Sequence, residues 1–294
     1  LQEISFKQKL SFKFESYIFY LYETIIDIFD EKAIKYIRFL ISPFLRNYKK
    51  VVKKNLEIAF GIEYSNKNWK NIFNSCVENL LLNIATVIKN KNKNRDDINN
   101  FVEFENRETI DNLIKNGESI IFTSGHFGNW EFMASAISSL ITPSYAIVEK
   151  LKNIYLDEVL NKNRQNVGVK TVAMKGAIKT IVSAIKRKEA VMMLTDQSLN
   201  RGYGIEKPFF GLTAIHSETP SFLSRKYGSY IVPTYIFNNQ NKYKIVFKEP
   251  FKAENIIDPL QYELNILEDE IRKSPESWLW CHRRWKNNKN IYNN

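Results

Sequence analysis

The run Ser119-Ile120-Ile121-Phe122-Thr123-Ser124-Gly125-His126-Phe127-Gly128-Asn129-Trp130-Glu131 contains a short buried strand, a turn and the start of a helix. Asn116-Gly117 turns the chain into the strand. Gly125 and Gly128 let the backbone turn tightly and approach a ligand closely where the strand ends. The pattern predicts a helix over 127–140, with His126 at the turn and Glu131 in the helix's second turn. From there the Glu131 carboxylate is expected to reach back toward the imidazole. Functional groups of open α/β sheets collect at such strand ends.

Outward from this point, strands and helices alternate. Strands are expected over 145–148, 169–173, 190–195, 230–237 and 243–247, and helices over 155–166, 177–188, 217–227 and 259–273. This alternation predicts an α/β domain with a central sheet flanked by helices. Asn238 to Asn241 reads as a hairpin loop, so part of the sheet is antiparallel and the sheet is mixed. Upstream, residues 46–88 have helical periodicity: Gly61 ends one helix and Ser65-Asn66 starts the next. Asn90 to Asn100 is rich in Lys, Asn and Asp and reads as an exposed linker.

A neutral imidazole paired with a carboxylate makes a general base. The helix N-terminus behind it offers N–H groups to a developing oxyanion. On the residues alone, a structural histidine at a strand end stands beside that reading, because a carboxylate five residues from a histidine also arises by chance. A serine nucleophile at Ser124 lacks the G-x-S-x-G elbow. The chain has three histidines and no H-E-x-x-H or C-x-x-C, which argues against a multi-histidine metal site. Cys76 and Cys281 read as reduced thiols, and His216 as structural.

The 294 residues, 44% apolar and 26% charged, exclude a disordered or low-complexity chain. Forty-three Lys and Arg against 32 Asp and Glu leave a net charge of +11, which points to an anionic partner. Twelve of the first 48 residues are Phe or Tyr, and Lys32 to Lys54 carries eight basic residues and no acidic one. Rings and cations together suit a bilayer interface, although two ordinary helices with a solvated basic face have the same composition. No stretch reads as a spanning helix, since Lys13, Glu15, Glu23 and Asp27 interrupt the first apolar segment.

Gly125 to Glu131 resembles the H-x-x-x-x-[D/E] motif of the glycerolipid acyltransferase superfamily, and most closely that of the lauroyl/myristoyl acyltransferases of lipid A biosynthesis. Five further segments resemble that family in order: Asn55-Leu56 through Phe60; Asn153 to Gly168 with Arg164; Leu194-Thr195-Asp196-Gln197; Pro208-Phe209-Phe210-Gly211; and Trp278 to Lys286, containing His282-Arg283-Arg284. The matches run from about Arg46 to Lys286. Two departures stand out: the interrupted N-terminal segment, where relatives carry an apolar anchor, and Glu149-Lys150-Leu151, where many carry Arg-Pro-like residues.

The resemblance implies a glycerolipid acyltransferase-like fold. Residues 1–48 would be a membrane-associating segment and 49–294 the acyltransferase domain, helical over 49–90 and α/β over 101–286. It implies His126 as catalytic base with Glu131 as its partner. Arg164, Asp196, Gln197, Gly128, Asn129, Arg283 and Arg284 would bind or support substrate, with Arg283 and Arg284 either on acceptor phosphates or anchoring the C-terminal segment. The donor would be a fatty acyl thioester, most naturally acyl carrier protein, and the acceptor a hydroxyl of a phosphorylated glycolipid. No metal or other cofactor is implied, and the location would be the cytoplasmic face of a bacterial inner membrane. A phosphatidylinositol mannoside or lysophospholipid acceptor is the alternative within the class. A non-catalytic membrane-surface protein is the alternative outside it; nucleic acid has no recognition motif here.

Overall fold

The computed structural model describes residues 6–29, 33–239 and 242–292. Lys32 of the basic run and Gln240-Asn241 of the expected hairpin loop lie outside the described residues.

The strand at Ile120–Ser124 (β2) is buried along its whole length. It lies between two parallel neighbours, Ala190–Leu194 (β5) and Tyr230–Asn239 (β8). A strand covered on both faces reads as a continuous apolar run, which is why Ile120, Ile121 and Phe122 are consecutive. The complete sheet has seven strands in the order β1-β9-β8-β2-β5-β3-β4, with β1 Val102–Glu105, β3 Ser144–Val148, β4 Val169–Ala173 and β9 Lys242–Phe247. Only the β8–β9 contact is antiparallel, so the sheet is mixed, as expected. Helices α7 (Trp130–Leu140), α8 (Ile154–Asn166), α9 (Ala177–Lys186), α10 (Thr219–Tyr227) and α11 (Pro259–Lys273) flank it.

Four expectations change. The helix after β2 begins at Trp130 rather than Phe127, because Phe127 forms a β-bridge with Trp278 and the Gly128 N–H donates to Ser277 O at 2.7 Å. Gly61, at φ 88°, ends α3 (Arg46–Phe60) and starts α4 (Ile62–Lys89) directly, so Ser65 lies inside α4 and donates to Lys53 O. Asn90 to Asn100 is not a plain linker. It forms a 3₁₀ turn and helix α5 (Arg95–Asn99), closed by a reciprocal Asn94–Asp97 capping box and anchored by the fully buried Ile98. A separate hairpin, β6 (Ile205–Phe209) with β7 (Leu212–His216), was not expected, and the Pro208-Phe209-Phe210-Gly211 segment makes its turn with Phe210 and Gly211 at positive φ.

The N-terminal helices α1 (Phe6–Phe29) and α2 (Ala33–Ile41) share one apolar cluster with α4, the β6–β7 hairpin and the three buried tryptophans Trp278, Trp280 and Trp285. The acidic residues that interrupt α1 are held by partners on other elements. Glu23 and Asp27 pair with Lys91, and Glu15 accepts from Asn153. α1 also exposes many apolar residues: Leu10, Phe14, Tyr17, Ile18, Leu21 and Ile28 all face outward. Tyr36, Phe39 and Phe44 add to them at 76%, 74% and 87% exposure, a patch that water does not favour. Among the described residues no helix is long and apolar enough to cross a membrane.

Candidate active site

The register of the two central strands assembles the site. Ser124 of β2 lies opposite Leu194 of β5, and Thr195 N–H donates to Ser124 O at 2.9 Å. Two residues beyond this pair on each strand stand His126 and Asp196, side by side at the C-terminal edge of the sheet. His126 Nδ1 lies 2.7 Å from Asp196 Oδ1, and the His126 backbone N–H donates to Asp196 Oδ2 at 2.9 Å. Trp278 Nε1 donates to the same Oδ2 at 2.8 Å. Glycine at 125 eases this approach, since a Cβ there would sit 3.2 Å from Asp196 Oδ2 and 3.1 Å from Leu267 Cδ1 and push those side chains back.

The imidazole partner is therefore Asp196 and not Glu131. Glu131 sits in the first turn of α7 and faces α8, where Arg164 Nη2 and Nε donate to its two oxygens at 2.8 and 3.0 Å. Each side chain of that fork is 17% exposed. Glu131 still reaches His126 electrostatically. Burial disfavours the charged ring, but the Asp196 carboxylate, its hydrogen bond and the Glu131 charge together raise the His126 pKa above its ordinary value. Burial likewise works against ionised Asp196, yet the charge and hydrogen bonds of His126 and the Trp278 N–H hold its carboxyl well below the usual carboxylate range. For Arg164, burial is outweighed by Glu131, which raises the guanidinium pKa further.

His126, Glu131 and Arg164 open together on a cavity of about 220 Å³ between α7, α8 and strands β3 and β5. Met133, Ala134, Ala146, Leu160, Val169 and Met192 supply its apolar wall. Trp130 stands edge-on to the imidazole with ring centroids 5.0 Å apart. The Gln197 side-chain amide is exposed and lies 3.4 Å from His126 Nε2.

Other sequence-nominated residues are turned away from the cavity. Gly128 has φ 53°, and a Cβ there would lie 2.7 Å from Ile236 O, so the position serves close packing of the turn. Asn129 is buried: it caps α7 by accepting from Phe132 N–H and donates to Thr86 and Tyr243. The Glu131 and Phe132 N–H groups already donate to Asn83 and Asn129, so these N–H groups of the helix N-terminus are not free for an oxyanion. Arg284 is fully buried, donates to Ile215 O and contacts His216 Nδ1, and so anchors the C-terminal segment. Burial pushes its pKa down to about 10. Burial and Arg284 push His216 down to about 3. Arg283 is exposed, away from Arg284's pocket.

Trp278 and Asn83 are the supporting residues that linear reading missed. Asn83 Nδ2 donates to Gly128 O at 2.9 Å while its oxygen accepts from Glu131 N–H, so α4 holds both ends of the turn. Trp278 opens the C-terminal segment that resembles the family, but nothing in its spacing ties it to Asp196.

A polar cluster at the C-terminal edge of a largely parallel sheet, opening on a cavity with an apolar wall, is where an α/β enzyme carries its chemistry. The protein belongs to the bacterial lipid A biosynthesis acyltransferase family, whose model matches residues 13–287. The chain is 24% identical over 256 residues to the lipid A biosynthesis palmitoleoyltransferase of Escherichia coli (strain K12), covering 84% of this chain and 81% of that one. The same identity and coverage relate it to the lipid A biosynthesis acyltransferase of Shigella flexneri. The chain is thus an acyltransferase of lipid A synthesis.

Proposed function

We propose that this enzyme moves a fatty acyl chain from the thioester of an acyl carrier protein to a hydroxyl of a phosphorylated lipid A precursor, with His126 as general base. The observation that carries this reading is the His126–Asp196 pair at the mouth of the apolar cavity. With Nδ1–H donated to Asp196, the neutral ring presents an unprotonated Nε2 to the acceptor hydroxyl. The proton moves to Nε2 as the hydroxyl oxygen bonds to the thioester carbonyl carbon. The carbon–sulfur bond then breaks, and the departing thiolate takes the proton back from the imidazolium. Asp196 stabilises that imidazolium. The Gln197 amide, beside Nε2, is placed to donate to the carbonyl oxygen as it gains charge. Arg164 and Glu131 fix each other and shape the polar end of the cavity, whose apolar wall takes the acyl chain. The chemistry calls for no metal and no cofactor besides the thioester co-substrate.

The exposed apolar residues of α1, with Phe39 and Phe44, support attachment to a bilayer surface, with exposed Lys35 and Arg46 meeting anionic headgroups. α1 packs on α8 through Asn153, which donates to Phe12 O, so α1 lies beside a helix that lines the cavity. The reading assigns the enzyme to the cytoplasmic face of the inner membrane, where acyl carrier protein and lipid precursor meet. The test is incubation of purified enzyme with labelled acyl-acyl carrier protein and a lipid A precursor in mixed micelles. A mass increase of one acyl chain on the precursor is expected. Transfer only to a lysophospholipid or a mannosylated phosphatidylinositol would overturn the acceptor assignment.

A further inference from the structure

A second cleft, of about 550 Å³, lies between α3 and the C-terminal segment, and Lys50, Lys53, Lys54, Arg283 and Tyr292 line it. A contiguous hollow of about 470 Å³ shares Arg283 with it and ends on Cys281 and His282. The cleft is built rather than incidental. Asn55, fully buried on α3, donates to both Trp280 O and His282 O at 2.8 Å and accepts from the Tyr292 hydroxyl. That clamp holds the C-terminal segment against α3. The Arg283 guanidinium lies over the Tyr292 ring, 5.8 Å from its centroid.

The charge in the cleft is largely uncompensated. Glu57, the one carboxylate on its wall, pairs with Lys54 at 3.2 Å. Lys50, Lys53 and Arg283 have no ion-pair partner among the described residues. At the inner end the His282 Nδ1 is buried without a hydrogen-bond partner, and burial pushes that ring down to about 4, so it stays neutral at physiological pH. Lys50, Lys53 and Arg283, unpaired and lining one hollow, are the composition of an anion site.

The same segment ties the cleft to the catalytic pair. Trp278 donates to Asp196, Leu279 N–H donates to His126 O at 3.0 Å, and Arg283 follows four residues later. Four residues span at most about 14 Å. Exposed Tyr48 lines the hollow and stands one helical turn beyond Phe44 of the exposed apolar patch, so the cleft opens near that patch.

We infer that this cleft binds the phosphomonoester of the acceptor headgroup and thereby sets the acceptor hydroxyl at His126. The inference rests on the proposed lipid A precursor as acceptor. The test combines a binding and a kinetic readout on the full chain, comparing wild type with Arg283→Ala and Lys50→Ala, each checked for an unchanged melting temperature. The binding probe is a phosphorylated glucosamine disaccharide without acyl chains, with its phosphate-free form as control, measured by titration calorimetry. Wild type should prefer the phosphorylated probe, and each variant should bind it roughly 10- to 100-fold more weakly. In acyl transfer the acceptor KM should rise by a similar factor, while kcat and the donor KM hold. Equal binding of both probes, or no effect of either substitution on binding, overturns the inference. So does a rise confined to the donor KM, which would assign the cleft to the acidic carrier protein. Probe binding without transfer to any lipid A precursor would sink the proposed function and leave the cleft as an anion site. Transfer without phosphate preference would do the reverse.

Discussion

Replacing Asp196 by Asn separates the two candidate partners of the catalytic imidazole. Asp196 accepts three donors: His126 Nδ1 at 2.7 Å on one oxygen, and the His126 N–H at 2.9 Å and Trp278 Nε1 at 2.8 Å on the other. The asparagine amide must put its NH₂ in one of those two places. Facing Trp278 and the His126 N–H, it would forfeit two hydrogen bonds in a buried site, at about 1–3 kcal/mol each. Facing Nδ1 it keeps both, provided the ring moves its proton to Nε2. The second arrangement costs less, and it blocks the base, because Nε2 then carries a proton. Loss of the right tautomer in a comparable histidine–carboxylate pair costs roughly 10⁴-fold in kcat, equivalent to about 5.5 kcal/mol. The assay is single-turnover transfer from labelled acyl-acyl carrier protein between pH 5.5 and 9. In the wild type the rate should rise with pH through a pKa above 6.5, since the base works unprotonated and its surroundings raise its pKa. In Asp196→Asn the rate should fall by about 10³–10⁴, and the residual acid limb should move to lower pH because the carboxylate charge is gone. A variant that keeps more than a tenth of the wild-type rate with an unmoved pH limb would refute this reasoning.

Three further outcomes follow from the same geometry. Glu131→Gln strands Arg164 in a site where each partner is 17% exposed, and should lower stability by about 2–3 kcal/mol in denaturant unfolding; the Glu131→Gln/Arg164→Gln double variant should regain part of that without regaining activity. Gly128→Ala brings a methyl to 2.7 Å from Ile236 O at φ 53°, and should cost about 2 kcal/mol or more of stability, read by chemical denaturation. His216, fully buried and pushed down to about 3, has a folded pKa below its unfolded value near 6.5, so its contribution is intact above pH 6.5 and declines as pH falls. Between pH 7 and 5.5 this removes about 1.2 kcal/mol, and His216→Gln should lack that increment in paired denaturation curves.

Local pattern carried the strand–turn–helix at residues 119–131 and the alternation beyond it, because each depends on neighbours in sequence. The Pro259–Lys273 helix was legible to the residue from the proline at its start and its periodic apolar face. The β6–β7 hairpin was not: Ile205 to Phe209 alternates weakly, and Pro208 argues against a central strand, so only pairing in space makes it one. Asn90 to Asn100 reads as polar linker because a single apolar residue, Ile98, and side-chain capping suffice to fold it.

The site shows the same division. His126, Glu131, Arg164, Asp196 and Gln197 were all nominated in sequence, yet their pairing was not visible there. Glu131 is five residues from His126, but its place on α7 aims it at Arg164 on α8. Asp196 is 70 residues away and becomes the nearest carboxylate only because β5 inserts between β2 and β3 in the sheet. The acidic residues of α1 looked like interruptions of an apolar segment; the partners Lys91 and Asn153, which hold them, come from distant elements.

The most direct measurement is the single-turnover rate of acyl transfer by purified, correctly folded His126→Ala with labelled acyl-acyl carrier protein and a lipid A precursor. A fall of about 10³-fold or more, with the melting temperature and acceptor binding retained, is the expected result. Transfer within tenfold of the wild-type rate would contradict the assignment of His126 as the base.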